Sequence, residues 1–197
     1  MVRVIAGSFK SRLLKTLDGK STRPTSDRLK ETLFNLLQPR LNGRRFLDCF
    51  AGSGSIGIEA LSRGASYAAF IESSPRASGV IRENLEQLGL LPLRDYILLN
   101  QTVENGLKIL QRAGSKFDIV FLDPPYAATE QYPKVLERLQ RYQTLSDEAI
   151  VIAEHSNHVT LLVEAAGLTR IRELKQGDSV LSVYCESKLS KQHKSMH

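Results

Sequence analysis

Residues 46–57 read Phe46-Leu47-Asp48-Cys49-Phe50-Ala51-Gly52-Ser53-Gly54-Ser55-Ile56-Gly57. The apolar first half predicts a strand over 45–50, and the part after the glycines predicts a helix over 53–63. Gly52 and Gly54 lack a Cβ atom, so a ligand can lie against the backbone where the strand ends. A glycine loop between a strand and a helix predicts a nucleotide-type ligand on a Rossmann-like sheet.

Strand and helix patterns alternate along the rest of the chain and predict an α/β fold. The predicted strands are 67–72, 96–99, 117–122 and 149–154, and the predicted helices are 75–88, 103–112 and one that carries Val135 and Leu139. This order predicts a mostly parallel sheet with helices on both faces. Two final strands, 168–174 and 179–185, predict an antiparallel hairpin that completes a seven-stranded sheet.

The N-terminal region has patterns of its own. Apolar residues on both sides of Gly7-Ser8 predict a short hairpin with basic residues interleaved. A helix is predicted from a cap at Thr25 or Ser26 to a stop at Pro39. We therefore divide the chain into a basic extension over 1–24, a main domain over 25–186 and a basic, disordered tail over 187–197.

The charge of the chain is unevenly distributed. The net charge is +6, but residues 1–45 hold 11 Lys and Arg against 3 Asp and Glu. Residues 46–186 hold 13 basic against 18 acidic side chains, and the last 11 residues hold three lysines and no acid. A mildly acidic body with basic ends suits a polyanionic partner held through phosphate contacts, although basic ends also serve solubility.

Several classes of protein are disfavoured by composition. No apolar run approaches the ~20 residues that span a bilayer, so we expect no membrane association. Cys49 and Cys185 lie far apart without zinc-site spacing, so we expect no metal and a reducing, cytoplasmic location. His155 and His158 are interpreted as loop or surface residues rather than ligands or bases.

Two acids indicate which nucleotide-type ligand is bound. Asp48 lies just before the glycines, and Glu72 ends the next strand, where an acid can hydrogen-bond ribose hydroxyls. A pyrophosphate would be repelled by Asp48, whereas S-adenosylmethionine has no phosphate and carries an ammonium and a sulfonium. The two acids therefore favour S-adenosylmethionine over a nicotinamide dinucleotide.

A second motif, Asp123-Pro124-Pro125-Tyr126, follows the strand 117–122. The nitrogen lone pair of a base amine is delocalised into the ring, so the amine is a poor nucleophile. The Asp123 carboxylate and the Pro124 carbonyl can accept its N–H bonds and localise that lone pair. Pro125 stiffens the loop, and Tyr126 offers a ring on which a flipped base can stack. The motif predicts methylation of an exocyclic amine on a nucleic-acid base.

Four further stretches carry a resemblance to a known family. They are RPTSDR at 23–28, FNLL at 34–37, the glycine loop at 48–57 and EALSRGA at 59–65. Together with Asp-Pro-Pro-Tyr they resemble the RsmD family of bacterial 16S rRNA guanine-N2 methyltransferases. The resemblance runs from Val2 to about Cys185, which is nearly the whole chain.

The resemblance implies a class I methyltransferase fold and methyl transfer from S-adenosylmethionine to the N2 amine of a guanine in 16S rRNA. The substrate would be the rRNA within a small ribosomal subunit or its precursor, and the enzyme a monomer. RNA binding by the hairpin is assigned by position to Arg3, Lys10, Arg12 and Lys15. Cofactor contacts are assigned to Arg23, Pro24, Thr25, Gln101 and Thr102.

Three alternative functions remain open. A DNA adenine-N6 methyltransferase would use the same catalytic motif, but the chain has no separate domain for target recognition. A nicotinamide-dependent oxidoreductase is disfavoured by Asp48 and by the Asp-Pro-Pro-Tyr run. A non-catalytic RNA-binding assembly factor would keep the fold, but it would have no use for the intact catalytic motif.

Overall fold

The computed structural model describes residues 1–17, 27–125 and 128–187, so all of the predicted tail over 187–197 except Ser187 lies outside these ranges. The helices are α1 Asp27–Leu41, α2 Ser55–Ser62, α3 Pro75–Gln87, α4 Val103–Arg112 and α5 Gln131–Arg141. The strands are β1 Val2–Arg3, β2 Leu13–Leu14, β3 Arg45–Asp48, β4 Tyr67–Ile71, β5 Tyr96–Leu99, β6 Phe117–Leu122, β7 Leu145–Ser156, β8 Glu164–Ala165, β9 Leu168–Gln176 and β10 Ser179–Glu186.

The central sheet has the order β5-β4-β3-β6-β7-β10-β9-β8. Strands β3 to β7 are parallel to one another, and β10 pairs antiparallel with β7 and is followed by β9 and β8, also antiparallel, at that edge. The predicted mostly parallel sheet and its C-terminal hairpin are therefore confirmed. Because the chain leaves β3 towards β4 and returns to β6 on the other side, the sheet has a topological switch point beside β3.

The sheet has one strand more than the seven predicted. Strand β8 is only two residues long and joins β9 through a two-residue turn at Ala166 and Gly167. Both turn residues have positive φ, 52° and 79°, as a type I′ hairpin turn requires. A strand of two residues has no alternation of apolar and polar positions, so periodicity could not reveal it.

Helices cover both faces of the sheet, as predicted. Helices α4 and α5 pack on one face, and α1, α2 and α3 pack on the other. The predicted helix stop at Pro39 was wrong, since α1 continues to Leu41 with Pro39 inside its last turn. Leu37 and Leu41 lie one turn apart and are both buried in the core, and their packing offsets the backbone hydrogen bond that the proline removes.

No helix among the described residues is both long and apolar enough to cross a membrane.

Candidate active site

The glycine loop between β3 and α2 lies at the carboxyl ends of the central strands. The amides of Cys49 and Ala51 donate to carbonyls near the ends of the flanking strands, at Phe121 and Ile71, over 3.1 Å each. Gly52 and Gly54 have φ of 56° and 78°, values that an L side chain rarely adopts. A Cβ atom on Gly52 would meet open space. The loop thus presents bare backbone to an open region beside the switch point.

Glu72 holds this loop. One carboxylate oxygen accepts from the amide of Gly52 at 2.9 Å, and the other accepts from the amide of Ser74 at 2.8 Å. The side chain of Asn100 donates to the carbonyls of Glu72 and Ser73 at 2.9 and 3.1 Å. Sequence reasoning missed Asn100, whose only signal was an amide side chain directly after strand β5.

Asp48 lies beneath the loop rather than at its mouth. Its residue is 1% exposed, and its carboxylate accepts from the amide of Gly57 in the first turn of α2 at 3.3 Å. Burial raises the pKa of Asp48 to about 8, and the charges of Asp123 and Glu72 act in the same direction. Asp48 therefore feels the charges of both other acids through space, and a cation bound nearby would favour its ionised form.

Asp123 directly follows β6, the strand next to β3 in the sheet. Burial raises the pKa of the Asp123 carboxyl to about 7. Pro124 is buried and Pro125 is exposed, whereas Tyr126 lies outside the described residues. A small cavity at this end of the sheet is lined by Asp123, Pro124, Thr129, Tyr132, Glu154, His155, Ser156 and Val159.

The other predicted cofactor residues are only partly described. Gln101 is exposed in the loop after β5. Thr102 caps helix α4, because its hydroxyl accepts from the amide of Asn105 at 3.4 Å. Arg23, Pro24 and Thr25 lie outside the described residues, as do the proposed caps of α1 at Thr25 and Ser26.

The interpretation of His155 as a loop or surface residue was wrong. His155 is buried in β7, and its ring nitrogens lie 2.9 Å from the hydroxyl of Ser182 and 2.9 Å from the carbonyl of Ser156. Burial lowers the pKa of the His155 imidazole. Its polar partners explain how a histidine is accommodated inside the sheet. His158 is exposed, as predicted.

The basic hairpin lies on the α2 and α3 side of the sheet. Arg3, Lys10, Arg12 and Lys15 are all exposed, so the hairpin gathers the four predicted RNA-binding cations on one small element. Lys15 differs from the other three, since its ammonium pairs with Glu83 of α3 at 2.7 Å.

The inner side of the hairpin is anchored by Glu59 of α2. This fully buried carboxylate accepts from the amides of Ile5 and Ala6 at 2.8 and 3.0 Å. It also pairs with Arg63 at 2.7 Å and lies 3.8 Å from the buried ammonium of Lys30. Burial lowers the pKa of Lys30, against the opposing charge of Glu59. Sequence reasoning missed this cluster, because Glu59 and Lys30 lie on polar-looking positions of separate helices.

A second anchor connects the hairpin to the glycine loop. Asn84 of α3 is fully buried, and its carbonyl oxygen accepts from the amide of Lys15 at 2.8 Å. Its amide nitrogen donates to the carbonyls of Lys15 and Ser53, at 3.0 Å each. One side chain thus fixes the end of the hairpin and the middle of the glycine loop.

Among the described residues, no group of three or more His, Cys, Asp or Glu side chains is placed to hold a metal ion. Cys49 and Cys185 are both buried free thiols.

Comparison with solved structures shows that the chain has the class I methyltransferase fold. The solved structure of yhhF from Escherichia coli is 31% identical, with a TM-score of 0.80, over 94% of this chain and 97% of that chain. The structure of SMU.776, a complex with SAH, shares the fold at 15% identity and a TM-score of 0.64, over 79% of this chain and 49% of that chain. The predicted fold class is confirmed, and the predicted cofactor agrees with this neighbour.

The family follows from the sequence. The model of the family described as "Conserved hypothetical protein 95" matches residues 2–185. Ribosomal RNA small subunit methyltransferase D of Escherichia coli K12 is 34% identical over 183 residues, which cover 93% of this chain and 89% of that protein. The chain belongs to this family, and the resemblance to the RsmD enzymes is confirmed.

Proposed function

We propose that this protein transfers a methyl group from S-adenosylmethionine to the exocyclic N2 amine of a guanine in small-subunit rRNA. The observation that carries the proposal is the position of Asp123 and Pro124, which directly follow β6 beside the strand that leads into the glycine loop. An acceptor pair for an amine therefore lies next to the place for a cofactor. The family relative named for small-subunit rRNA supports the choice of substrate.

The cofactor would be held by the glycine loop and the acids beside it. Gly52 leaves room for the ligand against the backbone, and Glu72 offers acceptor oxygens for ribose hydroxyls. Asp48 lies beneath the loop, and a sulfonium or an ammonium bound nearby would favour its ionised form. Arg23, Pro24 and Thr25 would cover the ligand, and Gln101 and Thr102 would lie at its adenine. The cofactor supplies an electrophilic methyl group.

Asp123 and Pro124 would prepare the amine for attack. The carboxylate and the Pro124 carbonyl accept the two N–H bonds of the flipped base, which localises the nitrogen lone pair towards the methyl carbon. When bound, the cofactor would supply its methyl group to this nitrogen, and its sulfonium would become a neutral thioether. The nitrogen then loses a proton to Asp123 and on to solvent. Most of the rate acceleration would therefore come from positioning the base and from these fixed acceptors. Pro125 would stiffen the loop, and Tyr126 would stack on the base.

The experiment that tests this function is nucleoside mass spectrometry of small-subunit RNA from cells with and without the protein. We expect one N2-methylguanosine to disappear in the deletion strain and to return when purified protein and S-adenosylmethionine are added. A loss of N6-methyladenosine from DNA instead would favour the DNA alternative. An unchanged set of modified nucleosides would favour the non-catalytic alternative.

Cofactor choice gives a second test. We expect S-adenosylmethionine and S-adenosylhomocysteine to raise the melting temperature, because a ligand that binds only the folded chain stabilises it by mass action. NAD and NADP should leave it unchanged, since a pyrophosphate at the glycine loop would lie beside the Glu72 carboxylate, which already accepts from the Gly52 amide. Thermal shift with each ligand at the same concentration measures this. Stabilisation by the dinucleotides alone would overturn the assignment.

The hairpin should hold RNA mainly by charge. Replacing Arg3, Lys10 and Arg12 with glutamine should weaken binding and lower the slope of log K against log salt by about 1 for each phosphate that is no longer neutralised. Arg112→Gln, on α4 at the opposite face of the sheet, is the matched control. Affinities for small-subunit RNA are measured across a salt titration, with cofactor binding as a check on folding. An unchanged slope in the triple variant would show that the hairpin does not dock the RNA.

A further inference from the structure

We infer that Glu154 selects guanine over adenine and cytosine at the proposed active site, by accepting the ring N1–H beside the amine that is methylated. The inference rests on the proposed base methylation and identifies the residue that would determine which base is methylated.

The sheet places Glu154 beside Asp123. Strands β6 and β7 are parallel neighbours, and Leu122 is paired with Ala153 at their carboxyl ends. Asp123 and Glu154 are the next residues on each strand, and parallel strands lie about 4.8 Å apart, so the two acids occupy matching positions on the same face. Both residues also line the cavity at this end of the sheet.

Glu154 is an unusual residue for the end of a buried strand. It is only 6% exposed and follows five consecutive buried residues of β7. Burying a carboxylate costs free energy unless N–H or O–H groups face it. Beside this carboxylate, a base edge with a donor is accommodated, whereas a base edge with a lone pair is repelled.

The three bases that carry exocyclic amines differ at this point. In guanine the neighbour of the N2 amine is N1–H, a donor. In adenine the neighbour of the N6 amine is N1, and in cytosine the neighbour of the N4 amine is N3; both are acceptors. The motif at Asp123 accepts any of the three amines, so it cannot choose among them. An ionised carboxylate has only acceptor atoms, so Glu154 beside Asp123 fits the guanine edge and repels the other two.

The test compares guanine with 2-aminopurine, which keeps the 2-amine but has an acceptor at N1. Substrate RNA carries either base at the methylated position, mapped beforehand by mass spectrometry, and kcat/KM is measured for wild type and for Glu154→Gln. We expect wild type to prefer guanine and the preference to fall at least about tenfold in the variant, because glutamine can donate to N1 as well as accept from it. Damage to the fold alone would lower both rates together and leave their ratio intact.

Glu148→Gln is the matched control, since it makes the same change at an exposed position of the same strand. It should leave the ratio unchanged. If Glu154→Gln does not fold, Glu154→Asp decides, because it keeps the charge and should keep the preference for guanine. An unchanged ratio in Glu154→Gln, or a preference lost in Glu154→Asp, overturns the inference. Absence of N2-methylguanosine from the wild-type reaction would instead overturn the proposed function.

Discussion

Replacing Asp123 with alanine is expected to lower kcat by about 100-fold or more and to leave cofactor affinity nearly unchanged. The carboxylate matters more as the amine nitrogen becomes tetrahedral than in the bound ground state, so its loss falls on the chemical step. Single-turnover methyl transfer and equilibrium cofactor binding, measured side by side, separate the two effects. Asp147→Ala, on the exposed part of β7, is the control and should behave as wild type. Near-normal turnover in Asp123→Ala would mean that the motif is only a turn and has no catalytic role.

The pH profile provides an independent check on Asp123. Burial raises its pKa to about 7, so the acceptor form is lost as the pH falls through 7 and is restored above it. We expect single-turnover rates to rise about tenfold from pH 6 to pH 8, as for a group with a pKa near 7. Since the pKa of Asp48 is about 8 and this acid interacts with Asp123, the midpoint belongs to the pair. Asp123→Asn cannot titrate and should flatten the profile; a profile unchanged in that variant would exclude Asp123 as the titrating acceptor.

Glu59→Ala should destabilise the protein by about 3–5 kcal/mol, because it removes the buried carboxylate that faces the ammonium of Lys30 and pairs with Arg63. The amides of Ile5 and Ala6 lose their acceptor at the same time. Urea unfolding measures the change in the free energy of unfolding, and equal m values for wild type and variant would show that the two can be compared. Because the hairpin is anchored there, protease sensitivity should rise first within residues 1–17.

Glu83→Ala is the control for Glu59, since it also removes a carboxylate that pairs with a lysine. The pair of Glu83 with Lys15 is more than half exposed on both sides, so its loss should change stability by about 1 kcal/mol or less. A comparable loss in the two variants would mean that burial does not decide the stability of this anchor.

Sequence periodicity predicted the alternating strands and helices because each long element has one continuous apolar face. It failed where tertiary packing overrides local preference, as at Pro39, which the burial of Leu41 keeps inside α1. It also failed at β8, whose two residues are paired because the Ala166-Gly167 turn folds them back onto β9.

Sequence motifs predicted those residues of the candidate site that belong to one continuous stretch of the chain. The glycine loop, Glu72 and Asp123 each stand next to a strand end, so parallel topology brings them to one edge. Glu154, Asn84 and Glu59 belong to separate elements, and their roles depend on pairings that no local pattern contains. Asp48 was predicted from its position in the motif, but only the packing of α2 shows that it lies beneath the loop.

The two-sided anchoring of the hairpin constrains how this family can diverge. Gly7 lies so close to α2 that a Cβ atom would stand 1.8 Å from the carbonyl oxygen of Ser62, and its φ is +84°. Substitution is therefore restricted on the inner side, where a side chain at Gly7 would collide with α2. Outward positions such as Lys10 and Arg12 are exposed, so the bound RNA constrains them and the packing of the hairpin does not. A lineage that acquired a different RNA target would accumulate its changes there, while the residues that face α2 would stay as they are.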